Sequence, residues 1–585
     1  MYVCVCVCRL NFYFQTRINE MKRLLSVQRL IRSIHNVKIR ARSVWTQDNI
    51  VNSPYKDVEI PNLTVPEYIW RNLDKWSDRT AVVCGITNRS FTYYQLFEYS
   101  RNLAAVLRKY FQITNGDVIG LMMLNRLEYP IAMIGAIQAG AVVTTINPIY
   151  TLNETYRQIM LAKPKIIITT PEIVGVVQEA IRMTKTEIAI IIVKNPSEVL
   201  PFETASFEEI INNDEVDKDI LSDVAKKPND VVLLPYSSGT TGLPKGVELT
   251  NRNKVANFAQ REVDGVRHCN ETTSQHQDSI MAVLPFYHVY GLSVVLLHNL
   301  SLGAKFVVLP KFQPTSFLNA LKNHKVNLLY AAPPMVLFLG THPEVKKEHL
   351  VSVDRLICAA APIAKSDIRR VLEKCQPNLD FFQLYGLTEV SPFATSAVPG
   401  SGDHTTVGFA LPNSQLRVVD SNDHNLGPGR VGELHIRGPH VMKGYKDNPE
   451  ATKAAISEDG WLRTGDLVSI NSYGAVTIVD RIKELIKVKG YQVPPAELEG
   501  LLKGHPDVLD AAVIGIPDKK KGEVPKAFVV LKEGHKTTPN NITEFVNKNV
   551  AEYKRIREVE FLDALPKNPS GKILRRVLKE KCNNR

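Results

Sequence analysis

Tyr236-Ser237-Ser238-Gly239-Thr240-Thr241-Gly242-Leu243-Pro244-Lys245-Gly246-Val247 directly follows the apolar run Val231-Val232-Leu233-Leu234. The run predicts a strand. The loop behind it carries three glycines, four Ser/Thr hydroxyls and one lysine. That composition suits a polyphosphate. Glycine reaches φ > 0 and lets backbone N–H groups approach an anion closely. The hydroxyls donate hydrogen bonds, and Lys245 adds a point charge. The segment is not a Walker A loop, which ends Gly-Lys-Ser/Thr; here Pro244 precedes Lys245 and Gly246 follows it. A P-loop NTPase is therefore the wrong template, while a nucleoside triphosphate remains the right kind of ligand. Taken alone, the same residues also describe a solvated turn that binds nothing. The rest of the chain has to decide.

The 585 residues allow several domains with large cores. The net charge of +12 is concentrated at the start. Residues 1–47 hold nine Lys/Arg and one acid, Glu20, which leaves only about +4 for everything else. No basic footprint for nucleic acid exists outside that leader. The eight cysteines form no C-x-x-C pair and no Cys/His cluster, so neither zinc nor a disulfide framework is expected. No apolar run is long enough for an uninterrupted membrane span. The nearest, Tyr129 to Ile146, is broken by Gln138, Gly140 and Thr144 and reads as a buried helix followed by a strand. From Met21 to Gln47 the leader is Arg- and Ser-rich, lacks acids, and repeats apolar residues at roughly helical spacing. It resembles a mitochondrial transit peptide. A disordered basic arm is the plainer alternative.

From about Asn49 to Asp480, strand-like runs alternate with helical patterns. Examples are Val118–Leu124 before Tyr129–Ala139, and Ile166–Thr169 before Glu172–Met183. Such alternation predicts parallel sheets covered by helices. After Gly408, short strands separated by Gly and Asn predict a small antiparallel barrel or sheet. Residues 481–585 turn Lys-rich and read as a separate α+β domain. The connector Arg481-Ile482-Lys483-Glu484 lacks turn residues and suits a hinge.

Further groups carry chemistry. Tyr385-Gly386-Leu387-Thr388-Glu389 follows the strand-like Phe381–Leu384 and offers an aromatic face, a hydroxyl and a carboxylate for Mg²⁺. A plain Tyr-Gly turn is its bland reading. Asp466, in Thr464-Gly465-Asp466, can accept from both hydroxyls of a ribose, or simply close an Asx turn. His288 stands among Phe286, Tyr287 and Tyr290, as a core histidine or as the wall of an apolar pocket. Lys572, in Asn568-Pro569-Ser570-Gly571-Lys572, is a mobile cation or a solvated tail lysine.

In this order and at these separations the groups are together specific. The chain resembles an acyl-CoA ligase of the adenylate-forming superfamily, nearest the 4-coumarate–CoA ligase and beetle-luciferase branch. The resemblance spans about Asn49 to Leu578. It rests on Ser237 to Gly246, Arg437-Gly438-Pro439 through Gly444-Tyr445, Gly460 to Asp466, Val479-Asp480-Arg481 and Lys487 to Glu499. It implies an α/β fold. Residues 48–482 would form an adenylation domain of two parallel-type α/β subdomains plus a small β-barrel, and 483–585 a mobile α+β C-terminal domain hinged near Lys483. Two half-reactions are implied. A carboxylate attacks the α-phosphate of Mg·ATP, giving acyl-AMP and pyrophosphate; the thiol of coenzyme A then expels AMP.

The resemblance also implies roles. Ser237, Ser238, Gly239, Thr240, Thr241, Gly242 and Lys245 would hold the β- and γ-phosphates. Thr388 would touch the α-phosphate and Glu389 the Mg²⁺. Ala360, Ala361, Pro362, Gln383, Tyr385 and Gly386 would frame the adenine. Asp466 and Arg481 would hold the ribose. His288 would line the acyl pocket. Lys572 would bridge carboxylate and α-phosphate during adenylation. After a swing about Lys483, Lys487 would face the adenylate while Lys489 and Gly490 line the path for CoA; Lys483, Lys487 and Lys572 count among the nucleotide contacts. The segment Cys358-Ala359-Ala360-Ala361-Pro362 has Cys and Ala where relatives usually carry Ser and Gly. A luciferase-like monooxygenase using O₂ and a catalytically silent relative share most of these motifs. The acid is not legible, and neither is the oligomeric state. The C-terminus Cys582-Asn583-Asn584-Arg585 lacks a peroxisomal signal. With the leader, that favours mitochondria over cytoplasm or peroxisome.

Overall fold

The computed structural model describes residues 44–583, apart from 196, 225–226, 238–243, 489–490, 519–520 and 569–570. The leader up to residue 43 therefore lies outside the described residues. Its last part does not: Trp45 bridges Val51, and its indole N–H donates to the Asn471 carbonyl at 3.0 Å. Residues 44–47, which composition assigns to the leader, belong to the folded body.

Among the described residues, two nine-stranded sheets dominate residues 80–410, with Gly444–Tyr445 added to the first. In the first, Val118–Met122, Val142–Thr145, Ile166–Thr169, Ala189–Ile192 and Ala205–Ser206 run parallel. Val231–Leu233 joins parallel beside Val142–Thr145, and Lys245–Thr250 and Tyr236–Ser237 close that edge antiparallel. In the second, Asp380–Gly386, Arg355–Cys358, Leu328–Ala331, Ser279–Ala282, Lys305–Val308 and Thr80–Cys84 form the parallel centre. Its two rims are antiparallel. Helices on both faces make these strands apolar along their whole length, as in the fully buried Ile166–Thr169. The run at Tyr129 is indeed a buried helix, Tyr129–Gln138, leading to the strand Val142–Thr145. Among the described residues, no helix is long and apolar enough to cross a membrane.

Local chemistry sets several helix starts. Thr64, Thr92, Thr151 and Thr250 each accept from the backbone N–H three residues on, and a Glu, Gln or Asn there reaches back. Each such box satisfies two otherwise orphaned donors. The region expected as a small barrel is a five-stranded antiparallel sheet, from Ile50–Asn52 through Gln415–Val419, Val431–Arg437 and Leu462–Ile470 to Val476–Arg481. A one-turn 3₁₀ helix, Ile482–Glu484, then leads into the C-terminal domain. There Val508–Asp518 and Gly522–Leu531 form a long hairpin, extended by Ile486–Val488, Tyr491–Val493 and Glu558–Phe561. That domain has its own apolar clusters.

Candidate active site

Parallel strands place ligands beyond their carboxyl ends, above all where strand order reverses. In the second sheet Ser279–Ala282 lies between Lys305–Val308 and Leu328–Ala331, so the order reverses around it. The segment after it carries His288. Neighbouring strand ends supply Ala332–Pro334, Ala359–Pro362 and Gly386–Glu389.

Asp466 is the centre of the polar cluster, buried to 3 % exposure. The Tyr385 hydroxyl donates to its Oδ2 at 2.6 Å, and Arg481 Nε lies 3.0 Å from its Oδ1. Burial raises the carboxyl above its ordinary value; Arg481, Tyr385 and Lys572 oppose that rise. Asp466 and Arg481 face each other across the paired strands Leu462–Ile470 and Val476–Arg481. Lys572 comes from the other domain. Burial first, and then the Arg481 guanidinium, hold its ammonium below the usual lysine value, while Glu484 and Asp466 pull it back up. Lys572 thus sits in the field of Asp466 and Arg481, 91 residues or more away in the chain.

The turn carrying Lys572 is tightly seated. Lys572 N–H donates to Asn568 Oδ1 at 2.8 Å, and Asn568 N–H donates to the Lys572 carbonyl at 2.9 Å. Gly571 has φ +83°, and a Cβ there would stand 2.7 Å from Pro334 Cδ. Only glycine lets this turn lie against the Ala332–Pro334 strand end. Gly386 is constrained too, since a Cβ on it would overlap the Pro392 carbonyl oxygen.

A second cluster forms around Glu389. Its Oε1 accepts from Ser237 Oγ at 2.9 Å and from the Tyr445 hydroxyl at 3.1 Å. Met442 N–H holds its backbone carbonyl at 2.8 Å. Lys245 Nζ lies 4.9 Å from the centre of the Tyr445 ring. The strand Lys245–Thr250 pairs Val247 with Tyr445, which brings these pieces together. Ser238, Gly239, Thr240, Thr241 and Gly242 lie outside the described residues, as do Lys489 and Gly490. On either side of the undescribed residues 238–243, Ser237 and Lys245 of the loop expected to bind phosphate meet the Glu389–Tyr445 cluster. Thr388 opens the 3₁₀ turn Thr388–Val390. For Mg²⁺ the residues fit: one carboxylate ringed by oxygen donors, beside a phosphate loop, matches a hard cation that prefers few protein ligands plus substrate phosphates.

His288 is half-buried. Its Nδ1 accepts from Tyr290 N–H at 3.3 Å, which leaves the proton on Nε2, and burial pushes its pKa down to about 4. It is a neutral imidazole at physiological pH. Tyr290 opens a π-helical stretch, Tyr290–Leu297. Its hydroxyl reaches the carbonyls of Ala331 and Ile357, both at 3.4 Å. Gln383 donates to the His404 carbonyl at 2.9 Å. Ala360 is exposed and adopts φ +81°, a left-handed conformation that costs any residue with a Cβ.

Lys487 and Lys483 are both exposed. Lys487 lies on Ile486–Val488, its backbone N–H bonded to Glu523 Oε2 at 2.8 Å. The structure therefore brings Lys572, not Lys487, to Asp466. Sequence reasoning quoted Tyr445 within a motif but gave it no role. It also missed His404 and the Ala332–Pro334 wall, whose only sequence signal was their position after a strand.

The match to known proteins covers most of the chain. Residues 69–446 fit the model of AMP-binding enzymes, and residues 497–572 fit that of the AMP-binding enzyme C-terminal domain. A 4-coumarate–CoA ligase of Oryza sativa subsp. japonica is 39 % identical over 545 residues, covering 92 % of this chain and 96 % of that protein. One from Petroselinum crispum is 39 % identical over 541 residues, covering 91 % and 97 %. The crystal structure of ATP-bound MatB from Rhodopseudomonas palustris superposes with a TM-score of 0.78 at 26 % identity, over 89 % of this chain and 99 % of that one. The chain belongs to the AMP-binding enzyme family and is an AMP-forming acid–CoA ligase.

Proposed function

We propose that this ligase activates an aryl-substituted carboxylic acid with Mg·ATP and transfers the acyl group to coenzyme A. Support for the acid class comes from the relatives, which are named as 4-coumarate–CoA ligases, and from the aromatic segment around His288. The observation that supports the mechanism is that Lys572, from the other domain, lies in the field of Asp466 and Arg481.

A free carboxylate is a poor acylating agent, and AMP is a good leaving group. The protein's task is positioning and stabilisation of developing charge. Asp466 accepts from the ribose hydroxyls, with Arg481 fixing its orientation. Tyr385, Gly386, Gln383 and Ala360–Pro362 form the wall for the base. Ser237 through Lys245 hold the departing pyrophosphate, and Thr388 donates to the α-phosphate. Glu389 would hold Mg²⁺, which when bound would supply positive charge against the phosphates. Lys572 bridges the attacking carboxylate and the α-phosphate, where its partly desolvated ammonium acts strongly. Neutral His288 borders the acyl pocket without bringing a competing positive charge. For thioester formation the small domain turns about Lys483, Lys572 leaves, and Lys487 with Lys489-Gly490 takes its place. The leader is read as a mitochondrial import signal.

The deciding experiment is thioester formation from CoA, ATP and Mg²⁺ across a panel of aryl-propenoic, benzoic and fatty acids. Preference for fatty acids over every aryl acid overturns the aryl reading. Light emission with luciferin, ATP and O₂ would place the chain with the monooxygenases instead. A fusion of residues 1–47 to a fluorescent protein tests import; a diffuse cytosolic signal refutes it.

A further inference from the structure

The two domains meet at a second place, away from the nucleotide. The helix Lys365–Lys374 of the large domain carries Asp367 in its first turn, only 3 % exposed. Its Oδ1 lies 3.0 Å from Arg370 Nη1. Opposite stand Lys503, Asp510 and Lys567 of the small domain. Lys503 Nζ is 3.0 Å from Asp510 Oδ1, and Lys567 pairs with Asp510 Oδ2. Ser366 Oγ approaches the Lys503 carbonyl at 3.5 Å, which places the start of this helix directly on the small domain. Burial raises the Asp367 carboxyl; Lys503, Arg370 and Lys567 pull it toward ionisation, and Asp510 pushes the other way. Two carboxylates, one per domain, thus share the field of Lys503 and Lys567, while Arg370 pairs with Asp367.

Lys567 is also the first residue of the turn that ends at Lys572. It bridges Ile573, and that turn closes through Asn568 and Lys572. The charge group is therefore fastened to the start of the segment that ends at Lys572, which lies in the field of Asp466. We propose that Asp367 is a positioning residue: by docking the Lys503–Asp510–Lys567 group, it holds the small domain where Lys572 reaches Asp466 and Arg481. This rests on the reading that Lys572 serves acyl-AMP formation. Asp367 touches no reacting atom. It acts by favouring one domain arrangement, and a contact made in only one arrangement shifts population toward it. Removing its charge leaves Lys503 and Lys567 paired with Asp510, so neither buried cation is orphaned.

The test separates the half-reactions in the full-length protein. ATP–pyrophosphate exchange reads adenylation with an acid the wild type accepts; thioester formation from supplied acyl-AMP reads the second step. Asp367→Asn is expected to lower exchange about tenfold, as a shift of the domain equilibrium by that factor would. Thioester formation from acyl-AMP should stay within about twofold. Asp367→Glu should restore most of the exchange. Lys503→Gln gives an independent approach from the small domain and should show the same bias. The double variant should be no worse than the weaker single one, because both changes remove one contact. Equal loss in both half-reactions, no loss in either, or additive losses in the double variant overturn the docking role while leaving the ligase reading intact. A wild type that exchanges no pyrophosphate with any acid overturns the ligase reading and the docking role with it.

Discussion

The two halves of the site are built differently. The large-domain half is fixed by short, repeated contacts: Tyr385 and Arg481 on Asp466, Ser237 and Tyr445 on Glu389, and the Gly386 backbone against Pro392. The small-domain half carries Lys572 at the end of the segment that starts at Lys567, and a second lysine, Lys487, exposed on a strand whose other two residues, Ile486 and Val488, are buried. The contrast teaches a division of labour. Recognition of the nucleotide needs one rigid arrangement, so it sits on strand ends. On the proposed mechanism, two successive chemistries need two different cations at one place, which is why both would sit on a body that moves.

The sharpest way to break this comparison is Lys572→Ala. Loss of a charge-stabilising donor of this kind costs about 10²–10³ in rate. That loss should fall on ATP–pyrophosphate exchange, with thioester formation from supplied acyl-AMP nearly unchanged; equal losses in both steps would sink the division of labour. Lys487→Ala should bias the other way, slowing the thioester step by about tenfold to a hundredfold and sparing exchange. The boundary between the halves supplies a pH signature. Burial raises the Asp480 carboxyl from 3.8 to about 6, although it accepts from Arg481 N–H and Ala496 N–H. The folded chain holds that proton more tightly than the unfolded chain. The Asp480 contribution to stability therefore falls as pH rises from about 4 to 6, and stays lost above that. Melting temperature followed over this window should flatten in Asp480→Asn. An unchanged slope would show that Asp480 is not the titrating group. The smallest effect belongs to the rigid half. Ala360 at φ +81° should gain about 1 kcal/mol on replacement by glycine, read as a raised midpoint in urea. A lowered midpoint would mean that the methyl group packs usefully against its surroundings.

Much of this was legible. The strand Ile166–Thr169 falls where its apolar pattern places it, and the helix expected over Glu172–Met183 runs from Pro171 to Thr184. Of the motif residues, Asp466, Arg481, Tyr385 and Lys572 gather in one cluster, and Ser237, Lys245 and Glu389 in another. Element edges drifted where pairing partners decide them. The strand expected over Val118–Leu124 ends at Met122, because its neighbours Val142–Thr145 and Ile166–Thr169 pair with it only that far. Residues 44–47 read as leader by composition, yet Trp45 finds an acceptor more than four hundred residues away.

By itself the sequence determined the reaction class. Phosphate, ribose and carboxylate each demand particular side chains, and those chemistries leave residue types in a fixed order along the chain. Tertiary structure alone decided which lysine lies in the field of Asp466, that Tyr445 joins Lys245 to Glu389, that Ala360 is left-handed, and that Asp367 lies in the field of Lys503 and Lys567. These are relations between residues far apart in the chain, set by how sheets and domains stack, and local pattern carries no record of them.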